Sequence, residues 1–132
     1  MFPSTKRFYE ATYALTALQA SSASDIESNI LLFYQKTIQR FLAEKTLIPS
    51  GNLVEVAFED LEREPLAVIR QIYEALHLDG FARMEGNLRD VIAAQAGYRK
   101  NQFPLNDDVI RKVSHHWGFA LDEWGYTLPS LP

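Results

Sequence analysis

Apolar and polar positions along the chain alternate with mostly helical spacing. Phe8, Ala11, Leu15 and Leu18 recur every three or four residues, one face of a helix that Pro3-Ser4-Thr5 opens with Ser4 as its N-cap. A short polar break, Ser21 to Ser24, separates this from a second helical pattern. There Ser24-Asp25-Ile26-Glu27 has the form of a capping box. Ile26, Ile30, Phe33, Tyr34, Ile38, Phe41 and Leu42 then make a broad apolar stripe, ending near Lys45 before a turn at Pro49-Ser50-Gly51. Glu64-Pro65 opens another helix, with proline in the first turn where its missing N–H costs nothing. Leu66, Ile69, Ile72, Tyr73 and Leu76 form its inner face, and Asp79-Gly80 ends it. A shorter helix is expected over about Leu88 to Gln95. Asn106 caps the last helix, with Asp107 and Asp108 in its first turn, Val109, Ile110, Val113 and Trp117 facing inward, and Gly125 as the stop.

Leu53-Val54-Glu55-Val56-Ala57-Phe58 breaks this rhythm. Its apolar residues barely alternate, so it reads as a strand buried on both faces, as in a parallel sheet. A single strand makes no sheet, however. Two readings follow. In one, the segment is no strand and the chain is a small helical bundle. In the other, the fold class is α/β and the chain is the mostly helical C-terminal segment of a larger parallel-sheet protein. An upstream segment or a partner chain would then complete the sheet. The first glycine is Gly51, so on that reading any glycine-rich phosphate loop lies upstream of Met1.

Composition narrows the chemistry by exclusion. The 132 residues carry 13 Lys+Arg and 17 Asp+Glu, a net charge of −4, which gives no broad basic footprint for nucleic acid. No cysteine is present, which removes disulfides, thiolate zinc sites and cysteine nucleophiles. No apolar run approaches the ~20 residues of a membrane span, and the N-terminus has no apolar signal core, so a cytoplasmic location is expected. His115 and His116 are helix neighbours about 100° apart and cannot chelate one metal. No spacing resembles a catalytic triad or a metal cage, and no catalytic or metal residue is assigned. Lys6 and Arg7, just after Ser4, oppose the helix dipole unless an anion binds there, where free N–H groups, the Ser4 hydroxyl and two cations would converge. Arg99 and Lys100 stand in a loop between Tyr98 and Phe103 that could cover a phosphate. Glu59-Asp60, after the expected strand, more simply cap the next turn or pair with a nearby arginine.

The order of several short motifs then resembles the sulfotransferase family. Phe58-Glu59-Asp60-Leu61 stands where that family has Tyr-Glu-Asp-Leu. Glu64-Pro65 follows, then Ile72-Tyr73-Glu74-Ala75-Leu76-His77-Leu78, and Trp124-Gly125-Tyr126 closes the chain. Phe2-Pro3-Ser4-Thr5-Lys6-Arg7 resembles the family segment that follows an Arg-x-Pro motif. The resemblance implies a P-loop-type fold of which residues 1–132 form the C-terminal part of one domain. It implies an enzyme that transfers a sulfuryl group from 3'-phosphoadenosine 5'-phosphosulfate to a hydroxyl or amine acceptor. By the same resemblance Ser4 would bind the donor's 3'-phosphate, Phe58 would lie near the adenine, and Arg99 and Lys100 would belong to a phosphate-contacting loop. The family's Gly-rich phosphosulfate loop and its catalytic base have no counterpart in these residues, so the chain alone is expected to be inactive. The competing reading is an inactive helical interaction module derived from that fold.

Overall fold

The hydrophobic periodicity is realised as helices. The computed structural model describes all residues except 17, 20, 21, 96, 98–102, 104 and 130–132. Among the described residues the regular elements are six α-helices and one 3-10 turn: α1 (Phe2–Thr16), α2 (Ala23–Glu44), the 3-10 turn Lys45–Leu47, α3 (Phe58–Arg63), α4 (Pro65–Ala75), α5 (Phe81–Gln95) and α6 (Asp107–Glu123). They form two units. The first joins Met1–Glu44 to Asn101–Pro132, and the second is Lys45–Lys100.

In the first unit α2 packs against both α1 and α6. Its core is Phe2, Ile26, Ile30, Leu31, Val113 and Trp117. Trp117 is the centre: it meets Phe2 edge-on at 5.8 Å and Tyr34 at 4.2 Å between ring centroids. Its indole N–H donates to the Leu31 carbonyl at 3.0 Å, so the one polar atom of the ring is satisfied inside the core. The termini of α6 follow the sequence closely. Asn106 Oδ1 accepts from the Val109 N–H at 2.9 Å. Gly125, at φ 68°, provides the left-handed stop, with the Tyr126 N–H reaching the Leu121 carbonyl at 2.8 Å.

Two local expectations shift. The capping box of α2 lies two residues earlier than Ser24–Glu27: Ser22 Oγ accepts from the Asp25 N–H at 3.1 Å, and Asp25 Oδ2 accepts from the Ser22 N–H at 3.3 Å. The larger shift concerns α1. Phe8, Ala11 and Leu15 face solvent, Phe8 and Leu15 being 65% and 88% exposed, while Phe2, Tyr9 and Tyr13 turn to the core. Helix α1 has two apolar faces, and periodicity alone does not rank them. The helix also begins at Phe2, so Ser4 sits inside the first turn rather than capping it.

The second unit packs α4 against α3 and α5. Val68 is its buried residue; Tyr73 meets Phe81 edge-on at 5.5 Å. Helix α4 begins at Pro65 as expected but ends before Asp79-Gly80. His77, at φ 52°, takes the left-handed position, and the Leu78 N–H closes the end on the Tyr73 carbonyl at 2.8 Å. Helix α5 starts at Phe81, seven residues before the expected Leu88.

The expected α/β class, with its parallel sheet of P-loop type, is not what the chain forms. Among the described residues there is no strand. Residues 53–57 form no ladder, Leu53 and Val56 are exposed, and Phe58 already belongs to α3. A strand is stabilised by neighbours that pair its backbone N–H and C=O groups, and no other described segment supplies them. A five-residue apolar run by itself does not separate a strand from an irregular connection. An ion pair between Lys45 and Glu55, 3.3 Å, ties this connection back to the 3-10 turn.

Candidate functional site

The N-terminal turns of α1 carry the strongest candidate. Ser4 occupies the third position of the helix, where its own N–H precedes the first intrahelical donor; that donor is Thr5, whose N–H reaches the Met1 carbonyl at 3.1 Å. Its hydroxyl is exposed and has no protein partner among the described residues. Arg7, three residues on, shares that face and is exposed. Together they offer an N–H, a hydroxyl and a guanidinium at the positive end of a 15-residue helix.

Lys6 does not join them. Two positions from Ser4, it points around the helix to Glu27 of α2, with which it pairs directly. Glu27 also receives Lys112 of α6 at 2.7 Å, and Lys112 in turn meets Asp108 at 2.6 Å. One carboxylate thus bridges lysines from two other helices. The hydrogen bonds from Lys112 and Lys6 hold the Glu27 carboxyl below the usual glutamate range. The hydrogen bond to Glu27 raises Lys6, and those to Asp108 and Glu27 raise Lys112. This cluster was hidden in the sequence, where Glu27 reads as a capping residue. It consumes the second cation that a convergent anion site would have used.

The remaining expected site residues lie elsewhere in the chain or outside the described residues. Phe58 is in the second unit, exposed at the start of α3. Beside it Asp60 is taken by Arg63 at 2.6 Å, the local pairing that the sequence suggested. Arg99 and Lys100 lie outside the described residues. Among the described residues no group of three or more His, Asp or Glu side chains is placed to hold a metal. His116 Nδ1 instead lies 3.0 Å from Gln35 Oε1. No helix among the described residues is long and apolar enough to cross a membrane.

The second unit has a groove of about 630 Å³ between α4 and α5, floored by Leu66, Ala67 and Ile92. Two arginines line it, but both are bound to Glu85, Arg70 at 3.0 Å and Arg89 at 2.7 Å. Glu64 and Glu74 also line it, and with Glu85 holding both guanidiniums the groove does not favour an anion.

Comparison with known proteins places the chain in a class. The pattern that defines the sulfotransferase family matches residues 1–83, which include Ser4, Arg7 and Phe58. The chain belongs to the sulfotransferase family. Among individual proteins it is similar to the omega-hydroxy-beta-dihydromenaquinone-9 sulfotransferases of Mycobacterium bovis and Mycobacterium tuberculosis, at 26% identity over 126 residues in each case. The alignment covers 96% of this chain and 32% of either relative, so the chain spans about a third of the length of the relatives it matches. No solved structure matches.

Proposed function

We propose that these residues are the part of a sulfotransferase that holds the 3'-phosphate of 3'-phosphoadenosine 5'-phosphosulfate. The observation that carries the reading is the unpartnered Ser4 hydroxyl in the first turn of α1, inside the family match, with Arg7 on the same face. A phosphate at that end would accept the Ser4 N–H and hydroxyl and offset the Arg7 charge, which otherwise opposes the helix dipole. Phe58 can stack on an adenine face but has no hydroxyl to donate. Arg99 and Lys100 would add charge against the same donor.

The transfer itself breaks the bond between sulfur and the bridging phosphate oxygen, forms one to an acceptor oxygen or nitrogen, and releases 3'-phosphoadenosine 5'-phosphate and the acceptor's proton. It depends on positioning and charge stabilisation at the sulfuryl group. None of the residues assigned here acts on that group, so the isolated chain binds without turning over. The relatives are named for a hydroxyl-bearing substrate, which favours a hydroxyl acceptor for the whole enzyme.

Calorimetric titration with 3'-phosphoadenosine 5'-phosphate tests the reading. The expected result is binding that adenosine 5'-monophosphate does not reproduce and that Ser4→Ala weakens about tenfold, the effect of one charge-assisted hydrogen bond. Equal affinity for the two nucleotides would remove the 3'-phosphate assignment. No binding of either would leave a helical interaction module.

A further inference from the structure

We infer that the groove between α1 and α2 is a binding site for a small fused-ring aromatic carboxylate, separate from the nucleotide end of α1. The groove has a volume of about 350 Å³ and lies wholly inside the first unit. Helical spacing builds it. Tyr9 and Tyr13, four apart, line it from α1; Asn29, Ile30, Phe33 and Lys36, three or four apart, line it from α2. Ile30 belongs to the core and gives the groove its floor. Phe33 does not: its spacing sets it in the apolar stripe of α2, yet it is 70% exposed. Folding of the chain leaves this ring uncovered, and a ligand in the groove would cover it.

The walls select an aromatic body. Tyr9 and Tyr13 meet edge to face, with ring centroids 5.3 Å apart and planes at 89°. With Phe33 from the other helix, three aromatic rings border one cavity, and rings prefer the edges and offset faces of other rings. A cavity of ~150 Å³ encloses one benzene ring, so this groove takes a fused pair.

The polar groups select the charge. Among the described residues Lys36 is the one charged side chain lining the groove, and no carboxylate lines it. The helix neighbours of Lys36 three and four residues away are Leu32, Phe33, Gln39 and Arg40, so α2 offers it no acid. The acids nearest the groove residues in sequence are engaged elsewhere, Glu10 with Lys6 at 3.8 Å, Asp25 with Ser22 at 2.7 Å and Glu27 with Lys6 and Lys112. Among the described residues Lys36 makes no ion pair, and the Asn29 amide and the two tyrosine hydroxyls make no hydrogen bond. An ammonium and an amide N–H serve the two oxygens of a carboxylate. One lysine balances a monoanion and leaves a phosphate dianion half compensated. A second copy of the chain fits less well, because an isologous contact would set this patch, with its lysine and no carboxylate, against itself.

The test is a titration of the isotope-labelled full chain with sodium naphthalene-2-carboxylate, read by amide chemical shifts, with and without excess 3'-phosphoadenosine 5'-phosphate. The expected result is saturable shifts at Tyr9, Tyr13, Asn29, Phe33 and Lys36, with the same affinity in both conditions. Naphthalene-2-carboxamide, with the same rings and no charge, should bind about tenfold more weakly. Lys36→Met should weaken the carboxylate about tenfold and leave the carboxamide unchanged, whereas Phe33→Ala should weaken both. Both residues are exposed, so helical circular dichroism and the melting temperature should stay unchanged and report that the variants fold. Shifts that are absent or fail to saturate at millimolar ligand would overturn the inference, as would equal affinity for acid and amide or a Lys36→Met chain that binds like the parent. Shifts gathered at Ser4 and Arg7 and lost on adding nucleotide would place the carboxylate at the nucleotide end and overturn it too. A dimer in sedimentation that the carboxylate does not dissociate would assign the groove to a second copy instead. Because the carboxylate is titrated without nucleotide as well, a chain that binds it yet binds no 3'-phosphoadenosine 5'-phosphate would sink the donor assignment alone.

Discussion

Single residues set the firmest energetic expectations. His77 holds a left-handed backbone conformation that costs a residue with a Cβ about 1 kcal/mol. His77→Gly relieves that strain while loosening the unfolded chain, so a net gain of about 0.5 kcal/mol in urea unfolding is expected. A loss would mean that the imidazole makes a contact outweighing the strain. Glu27 gives a pH dependence. Its folded value lies below the ordinary 4.5, so its contribution is complete above pH 4.5 and is lost as pH falls through the folded value. Lys6 and Lys112 are raised, so their contribution is complete below 10.5 and fades at higher pH. Glu27→Gln should therefore cost about 1 kcal/mol at pH 7, allowing for partial solvent screening. That difference should shrink as the solution is taken well below pH 4.5, as chemical denaturation at several pH values would show.

At the scale of elements, α6 is the one most fully legible in the sequence, because its signals agree: an asparagine cap, acids in the first turn, a regular apolar face and a terminal glycine. Its centre also predicts the largest loss. Trp117→Ala removes a buried ring and leaves the Leu31 carbonyl without its donor, a cost of about 3–5 kcal/mol that should abolish cooperative melting of the first unit. Retained cooperative melting would show that α1 and α2 hold together without it. Where signals competed, the sequence misled. Phe8 and Leu15 suggested one face of α1, but the aromatic residues at 2, 9 and 13 fill the space beside Ile26 and Ile30, and volume rather than spacing decides. Residues 53–57 have the composition of a strand without the pairing partners that make one. Helix α5 lost its first half to the reading because Gly86 interrupts a weak pattern. The candidate site divides likewise. Ser4 was proposed from the cations beside it and from a resemblance, whereas the capture of Lys6 by Glu27 depends on contacts between residues 21 positions apart.

For the whole molecule, the two units differ in what protects them. The first surrounds Trp117 with buried residues from three helices; the second has Val68 buried and relies on half-covered side chains. Amides of α2 and α6 should therefore exchange with deuterium much more slowly than those of α4 and α5. Equal protection in both units would show that they open together. Val68→Ala should accelerate exchange in the second unit and leave α2 unchanged.

The first unit is also interrupted in sequence, since Lys45–Lys100 comes between its two parts. On the ribosome this imposes an order of events. Helices α1 and α2 emerge before α6, yet Trp117, which fills their core, is made more than eighty residues after Leu31. At ~5–20 residues per second the newborn pair waits roughly 4–16 s for its third helix. During that interval the core face shared by α1 and α2 lacks its tryptophan, and whatever binds nascent apolar helices in the cell would meet this segment before the protein's own tryptophan does.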